Sequence, residues 1–527
     1  MIKQLWDKWK QKDIEQKIFF FFLPGMAFYY GFRLFALTPW YDELYTYYYF
    51  ISRGPVYAAI HWPLPNNHVG YSVLSAVLDL LGSPAVGLRG VSWFSSLFSL
   101  LLLFKISRKW LPKGFALLPV FLFASMGIVN QLAVQGRGYA LAACLYLTAL
   151  WELLKIVGEH DCRKGNYIVT GLAFVWALYT LPSSVYFVLP LCIAGGAWLL
   201  LEKRGRELGT LFFTALFSAL CTVFLYALIW LAIGSNLLSR AQDGCWYGQG
   251  HISIILHAPF AALKTGVCYM LDTPYIQSVS RDGYLGNFAA WLKALFENYY
   301  AGMSAVLLTL TGIGVGVLLV GQIRGVIRGA EGRKPAHGFL EWYLLLTFLL
   351  TPLMLIVQAA LPYYRVFSFM GVPLALLTAW LLAQISVRVG RPAVFRLIEA
   401  FAGIGCVCLL LSPAGRAQYS GREAAIEDAC VHMDLRNGEA VCVTDCDQEY
   451  LMKYLYGAEG RPAIEEADYV LLDRELFLTK EEMESRDAAG ADAWKFYVSH
   501  EEIPWDYLAE KMTVRYENDR FVLYQKK

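Results

Sequence analysis

The sequence predicts a polytopic α-helical membrane protein that ends in a small extracytoplasmic α/β domain. Of its 527 residues, 57% are hydrophobic and only 17% are charged, whereas soluble domains carry about 25% charged residues. Apolar stretches of about 20 residues recur, each long enough to cross a hydrocarbon core of about 30 Å. Residues 412–527 contain 25 acidic and 14 basic residues, whereas residues 1–411 are net positive. These observations predict a membrane domain over 1–411 and a soluble domain over 412–527.

Eleven apolar runs predict eleven membrane-spanning helices. Lys and Arg cluster in every second connection between them. Because basic residues mark cytoplasmic loops, we expect the N-terminus inside and, after an odd number of spans, the C-terminal domain outside. The long outer loops are then 39–85 and 234–298, and the first run stays as an anchor rather than a cleaved signal. The predicted spans are 18–38, 86–104, 114–131, 138–157, 167–182, 184–201, 208–233, 299–320, 339–360, 364–386 and 395–411.

The first outer loop is aromatic and amphipathic, which predicts interfacial helices along the membrane surface. Asp42 and Glu43 stand in this loop, directly after the first span. An adjacent acidic pair also suits a solvated helix start, where carboxylates favour the N-terminal dipole. A structural helix start and a functional pair of carboxylates are therefore both consistent with the residues alone.

Four arginines lie near the outer ends of spans, where the bias toward cytoplasmic basic residues does not explain them. An ionisable residue at membrane depth costs about 2.5 to 3.5 kcal/mol on insertion scales and is a functional-site hypothesis. For any one of them, a side chain that reaches the interface is an equally good explanation. Together with two carboxylates, they favour an anion site, such as one for a lipid phosphate. These residues are Arg33, Arg89, Arg137 and Arg365.

His68 and Tyr139 are further candidates, as contacts to a substrate or a metal ion. The other outer-side histidines suit hydrogen-bonded loop positions. The outer-side cysteines cannot all pair and support neither a disulfide framework nor a zinc site; they are Cys245, Cys268, Cys430, Cys442 and Cys446. No cofactor is certain from the sequence. A divalent cation stays open because a metal ion, like arginine, can hold a lipid phosphate.

The tail contains two strand-like runs, at 440–445 and 469–473, on either side of the helical stretch QEYLMKYLYG. A strand, a helix and a strand in that order predict a small α/β domain. The tail shows neither a nucleotide-binding loop nor a nucleophile motif. Covering the site and binding the acceptor are the two hypotheses for its role.

The first 200 residues resemble the membrane glycosyltransferases of the C superfamily. More narrowly, the chain is similar to bacterial relatives of dolichyl-phosphate-mannose protein mannosyltransferases and of the lipid A aminoarabinose transferase. The resemblance depends on Arg33 followed by PWYDELYTYYYF, NNHVGYSVLSAVLDLLG, SPAVGLRGVSWF and QGRGYALAACLYLTALWELLK, and on the later PYYRVF. The family often has two prolines where this chain has Val69 and Gly70, which leaves the role of His68 open.

The resemblance implies transfer of a sugar from a polyprenyl-phosphate donor, with inversion, on the outer side of the cytoplasmic membrane. It implies that Asp42 is the general base and that Glu43 is its acidic neighbour. The outer arginines would hold the lipid phosphate. The implied partners are membrane lipids and an acceptor protein, lipid or cell-envelope glycan, with no nucleic acid.

Three other functions are consistent with the sequence. A flippase for a lipid-linked sugar, or a solute transporter, would place functional charges near the bilayer midplane and often shows internal repeats. A polymer ligase would take a diphosphate-linked donor. A membrane scaffold explains the outer arginines least well.

Overall fold

The computed structural model describes residues 10–61, 67–233, 256–257, 260, 283–328, 335–390, 392–417, 419–434, 439–458, 462–479, 481–482 and 495–527. The first ten helices are α1 (Ile14–Ala36), α2 (Tyr41–Tyr49), α3 (Pro55–Ile60), α4 (Val69–Asp79), α5 (Pro84–Trp110), α6 (Leu118–Ser125), α7 (Gly127–Leu132), α8 (Tyr139–Leu153), α9 (Lys164–Thr180) and α10 (Val185–Leu201). Ten more follow: α11 (Gly205–Ile233), α12 (Tyr284–Tyr299), α13 (Ser304–Arg328), α14 (Pro335–Gln358), α15 (Gly371–Val389), α16 (Pro392–Leu411), α17 (Pro413–Arg416), α18 (Gly421–Cys430), α19 (Cys446–Tyr456) and α20 (Trp505–Lys511). The strands are β1 (Val441–Val443), β2 (Tyr469–Asp473), β3 (Met512–Glu517) and β4 (Phe521–Lys526). The candidate cysteines Cys245 and Cys268 lie outside the described residues.

The chain divides into two compact units. The membrane unit comprises residues 1–35 and 50–416, and the C-terminal unit comprises residues 36–49 and 417–527. The C-terminal unit is thus discontinuous in sequence, because the segment that follows the first span belongs to it. The predicted fold class, a polytopic helical membrane protein with a small α/β domain, is confirmed.

Among the described residues, eight helices are long and apolar enough to cross a membrane, and they overlap eight of the eleven predicted spans. Two more predicted spans are also helical. The run 167–182 overlaps the 17-residue helix α9, which ends at Thr180, and the run 395–411 lies within the 20-residue helix α16. The remaining run, 114–131, differs from the prediction because it forms two short helices, α6 and α7.

The break between α6 and α7 has local causes. Pro119 stands in the first turn of α6, where its missing N–H is tolerated, and α6 ends at Ser125, directly before Met126, whose backbone is extended (φ −61°, ψ 127°). At Gly127, a Cβ atom would lie 3.2 Å from the carbonyl oxygen of Asn298. Helix α12 therefore packs closely at this glycine. The chain continues from α7 through a turn over 133–138 into α8, and this turn carries Arg137.

The C-terminal unit is built on a four-stranded sheet in the order β1-β2-β4-β3. Strands β1 and β2 are parallel and are joined through α19, whereas β4 pairs antiparallel with β2 and with β3. The crossover through a helix is what a parallel pair requires. The predicted strand, helix and strand of the tail are therefore confirmed. One face of the sheet packs with α18 and α19 around a buried core that also contains Leu44 of α2.

A buried ion-pair network lies at the carboxyl ends of β1 and β2. Arg422 bonds Asp445 at 2.7 Å, Asp447 at 2.5 Å and Asp473 at 2.9 Å, and all three aspartates are fully buried. Lys495 adds a second cation, 3.0 Å from Asp447. A buried carboxylate is tolerated only when it is paired and hydrogen-bonded. Arg422 therefore joins helix α18 to both strands.

Candidate functional site

Four of the predicted site residues meet in the membrane unit. The Nη2 atom of Arg137 lies 3.3 Å from Nε2 of His68. The rings of His68 and Tyr139 are 5.0 Å apart and nearly perpendicular. The Nε–H of Arg365 donates to the hydroxyl of Tyr139 at 2.9 Å. We call His68, Arg137, Tyr139 and Arg365 the basic cluster.

Each member of the basic cluster stands at the end of a structural element. His68 is the residue that precedes α4, and Tyr139 is the first residue of α8. Arg137 ends the turn between α7 and α8, and Ser92 of α5 holds this turn by donating to the carbonyl oxygen of Gln135 at 2.5 Å. Arg365 lies in the 3₁₀ helix Tyr364–Met370, which leads into α15. Helix ends from three parts of the chain therefore form the cluster.

His68 is neutral, and its proton is on Nε2. Burial, with the positive charges of Arg137 and Arg365, holds the pKa of His68 well below its usual value. The Gly138 N–H donates to Nδ1 at 2.8 Å, so Nδ1 presents its lone pair and Nε2 carries the ring proton. The Nε2–H group therefore faces Arg137 Nη2, which is also a donor. Two facing donors suit an anionic oxygen that both can bind.

Glycines at 70 and 138 allow the elements of the cluster to approach. A Cβ atom on Gly138 would lie 2.5 Å from Cγ2 of Thr180 and 3.2 Å from Cβ of His68. On Gly70 it would lie 2.5 Å from Oγ1 of Thr180. Helix α9, which ends at Thr180, therefore packs directly against Gly70 and Gly138. Glycine at position 70, where the family often has proline, is required by this contact.

Arg33 and Arg89 make different contacts from the basic cluster. Arg33 is buried, and its Nη1 donates to the backbone oxygen and to Oδ1 of Asn130, at 2.9 and 2.5 Å. Arg89 is also buried, and its Nη1 donates to the carbonyl oxygen of Leu34 at 3.0 Å. These bonds fix α1 against α5 and α7. Their roles as phosphate ligands stay predictions.

Asp42 and Glu43 lie in the C-terminal unit, in the first turn of α2. Glu43 is buried, and its Oε2 accepts the backbone N–H of Trp40 at 3.0 Å. It thus satisfies an N–H group at the start of α2, as a helix-capping carboxylate does. Asp42 is only half-buried. The two adjacent carboxylates therefore have different surroundings, and Asp42 is the more accessible.

Helix α2 packs against α18 and α19 within the C-terminal unit. Oε1 of Glu423 accepts the N–H of Tyr41 at 3.0 Å, and Glu427 bonds the hydroxyl of Thr38. The ring of Tyr450 lies 5.9 Å from that of Tyr41. The tyrosines that the sequence assigns to an interfacial segment thus also pack on the tail.

Two buried residues were missed by reasoning from the sequence. The amide of Gln135 is buried, and neither of its polar atoms has a hydrogen-bond partner in the part of the chain that the structure describes. A buried polar group of this kind needs a partner, and a bound substrate can supply one. Its position two residues before Arg137 was the available signal. Glu423 gave no signal, because its contact with Tyr41 joins residues 382 positions apart.

The described residues contain no group of three or more His, Cys, Asp or Glu side chains that could hold a metal ion. The basic cluster presents hydrogen-bond donors rather than metal ligands. The donor set therefore does not fit a divalent cation at this position.

No family model matches the sequence, and no curated protein matches it. Solved structures do resemble it. The oligosaccharyltransferase of Archaeoglobus fulgidus in complex with zinc and sulfate is 14% identical, with a TM-score of 0.49 over 86% of this chain and 68% of that chain. The oligosaccharyltransferase AglB of that organism, with an inhibitory peptide and a dolichol-phosphate, is 11% identical, with a TM-score of 0.42 over 95% of this chain and 70% of that chain.

ArnT from Cupriavidus metallidurans bound to undecaprenyl phosphate is 12% identical, with a TM-score of 0.45 over 96% of this chain and 97% of that chain. At identities of 11 to 14% and TM-scores below 0.5, neither an activity nor any residue's role in this chain follows from these likenesses.

Proposed function

We propose that this chain transfers a sugar from a polyprenyl-phosphate donor to an acceptor outside the cytoplasm, with inversion at the anomeric carbon. The observation that carries the proposal is the pair of facing donors, His68 Nε2–H and Arg137 Nη2, with Arg365 close enough to perturb the same histidine. This arrangement suits a phosphate oxygen at the end of membrane helices. The donor is then bound through its lipid phosphate.

The proposed reaction is a single displacement. The acceptor oxygen or nitrogen attacks the anomeric carbon, the bond from that carbon to the phosphate oxygen breaks, and Asp42 takes the acceptor proton. The departing polyprenyl phosphate gains one negative charge. The Arg137 and Arg365 guanidinium groups bind it more tightly as that charge develops, so they stabilise the transition state more than the ground state.

The contrast between the two carboxylates supports Asp42 as the base. Glu43 uses an oxygen to accept the Trp40 N–H inside the unit, whereas Asp42 is half-buried at the same helix start. In this proposal Glu43 fixes the start of α2 and Asp42 reacts.

We also infer that the N-terminus is cytoplasmic and that the C-terminal unit is outside. The loops that the charge pattern assigns to the cytoplasm contact one another: Lys109 pairs with Glu159, and Arg204 Nη1 donates to the carbonyl oxygen of Val157 at 2.9 Å. Impermeant thiol labelling of single cysteines introduced near each terminus tests the orientation. Labelling of the N-terminal cysteine in intact cells would contradict it.

Mass spectrometry of co-purified lipids tests the donor class. We expect polyprenyl monophosphate, bare or glycosylated, on the wild type and its loss from an Arg137→Ala, Arg365→Ala double variant. Arg53→Ala is the control, because Arg53 is an exposed arginine outside the basic cluster, and its Nη1 donates to the hydroxyl of Tyr57 at 2.9 Å. Ordinary phospholipids alone on all three proteins would contradict the proposal. A diphosphate-linked glycan would favour a polymer ligase, and transport without transfer would favour a flippase.

Turnover measurements test the base. Asp42→Asn should lower the transfer rate by at least about 100-fold, in the range that general-base catalysis provides. Glu43→Gln is the matched control, since a glutamine oxygen still accepts the Trp40 N–H and should leave most of the rate. Normal turnover by Asp42→Asn would remove Asp42 from the mechanism.

A further inference from the structure

A groove opens between α1 and α5 at the end of the membrane unit opposite to the basic cluster. Its volume is about 750 Å³, within the size range of small-ligand sites. Ser92, whose hydroxyl also contacts the carbonyl oxygen of Arg137, and Arg108 of the groove lie on the same helix, 16 residues and therefore about 24 Å apart. The groove is therefore a separate site.

The floor of the groove is aromatic and apolar. The rings of Phe19 and Phe104 stack at 4.0 Å, and both side chains are buried. Phe20 and Leu23 on α1 and Leu101 on α5 continue the lining along the helices. Phe20 is 51% exposed, as expected for a side chain that faces lipid. This surface matches hydrocarbon chains.

The mouth of the groove is cationic. It is lined by Lys12, Lys105, Arg108 and Lys109. Asp13 pairs with Arg108 at 2.9 Å, and Glu159 pairs with Lys109. The residues that line the groove include these four basic side chains and no acidic one, so the lining itself carries positive charge.

The cationic groups are held over the aromatic rings. Lys12 Nζ lies 5.0 Å from the ring centre of Phe20, and Lys109 Nζ lies 4.6 Å from that of Trp151. The guanidinium carbon of Arg108 lies 5.7 Å from the ring centre of Phe104. Positive charge thus stands directly above an apolar floor. A lipid with an anionic headgroup is complementary to this arrangement, because its headgroup would meet the basic side chains and its hydrocarbon chains would meet the apolar floor.

We propose that this groove binds an anionic phospholipid, with the phosphate at Lys12 and Lys105 and the acyl chains against Phe20, Leu23 and Leu101. Basic pockets between membrane helices recognise anionic headgroups in this way. A zwitterionic phospholipid fits the apolar floor equally but leaves the positive mouth uncompensated. This inference does not depend on the proposed transfer reaction.

Native mass spectrometry of the full-length chain in detergent tests the proposal, with phosphatidylglycerol and phosphatidylcholine of identical acyl chains as probes. We expect the wild type to prefer phosphatidylglycerol by about tenfold or more, since each basic residue near an anionic headgroup contributes appreciably. Lys12→Gln with Lys105→Gln should reduce that preference to within about twofold. Arg108 is left intact because its ion pair with Asp13 joins α1 to α5.

A matched control removes the same charge outside the groove. Lys164 and Arg206 are exposed residues at the same end of the unit, and Lys164→Gln with Arg206→Gln should keep the wild-type preference. Equal loss in both double variants would reduce the effect to net charge and overturn the proposal. Absence of a preference in the wild type would also overturn it. Soluble glycerol phosphate should bind negligibly, and tight binding of it would assign the mouth to a free phosphate instead.

Discussion

Replacing Glu423 by alanine tests whether the C-terminal unit positions the proposed base. Glu423 is buried on α18, and its Oε1 accepts the N–H of Tyr41, the residue before Asp42. The substitution removes this acceptor and leaves a backbone N–H at the start of α2 without it. Helix α2 then loses a tether directly beside Asp42.

The size of the effect follows from the bond that is lost. A hydrogen bond to a buried carboxyl group contributes about 1 to 3 kcal/mol. If this free energy holds Asp42 in its reactive position, its loss lowers the rate about 5- to 150-fold, since 1.36 kcal/mol corresponds to tenfold. The donor is bound through other residues in our proposal, so kcat should fall while the KM for the donor stays nearly constant.

The assay is steady-state transfer with kcat and the donor KM determined separately. Glu423→Gln should restore kcat, because a glutamine oxygen accepts the same N–H. Asp468→Ala is the control, because it also removes a carboxylate that accepts a backbone N–H group. Asp468 directly precedes β2 and accepts the N–H of Ala440 at 2.9 Å. A kcat for Glu423→Ala within about twofold of the wild type, with Asp42→Asn inactive, would refute the positioning role. An equal loss in Asp468→Ala would show general destabilisation instead.

Three further predictions concern stability and the basic cluster. Arg422→Met should destabilise the C-terminal unit by about 3 to 5 kcal/mol, because it leaves three buried aspartates without their central cation; an unchanged unfolding midpoint of the full chain would contradict this. The pKa of His68 is lower in the folded chain than in the unfolded chain, where it is about 6.5. When the pH falls below about 6.5, the unfolded chain takes up the proton and the folded chain does not, so the free energy of unfolding decreases. Thermal scans from pH 7.5 to 5 should therefore show a loss that His68→Gln lacks, and identical pH profiles would refute it. Gly138→Ala should weaken donor binding, because the new methyl group meets Cγ2 of Thr180 at 2.5 Å; Thr180→Ser removes that atom and should restore binding, and failure to restore it would contradict the steric explanation.

The sequence identified each member of the basic cluster as a candidate but grouped Arg137 and Arg365 with Arg33 and Arg89, which make other contacts. Arg137 and Arg365 are outer-side arginines beside predicted spans, and alternating spans return to the same side of a membrane. The structure brings both to His68 and Tyr139. The close packing of α9 against the cluster could not be predicted from the sequence, because it depends on Gly70 and Gly138, which leave room for the side chain of Thr180.

Interactions between distant parts of the chain were also beyond the sequence. The acidic pair predicted functional carboxylates, but capping by Glu43 depends on the exact start of α2. Likewise, the apolar run 114–131 has the composition of a span, yet the extended backbone at Met126 divides it into two helices. Hydropathy measures composition over a window and does not detect such a break.

The discontinuous C-terminal unit has a consequence for biosynthesis. Leu44 is fully buried in a core whose other members come from residues 426–523. At about 5 to 20 residues per second, the ribosome needs tens of seconds to make the chain between these two parts. Helix α2 therefore reaches its native environment only after nearly the whole polypeptide has been synthesised. A truncated chain keeps Asp42 in its sequence but cannot complete the unit that holds it, so incomplete products should lack transfer activity.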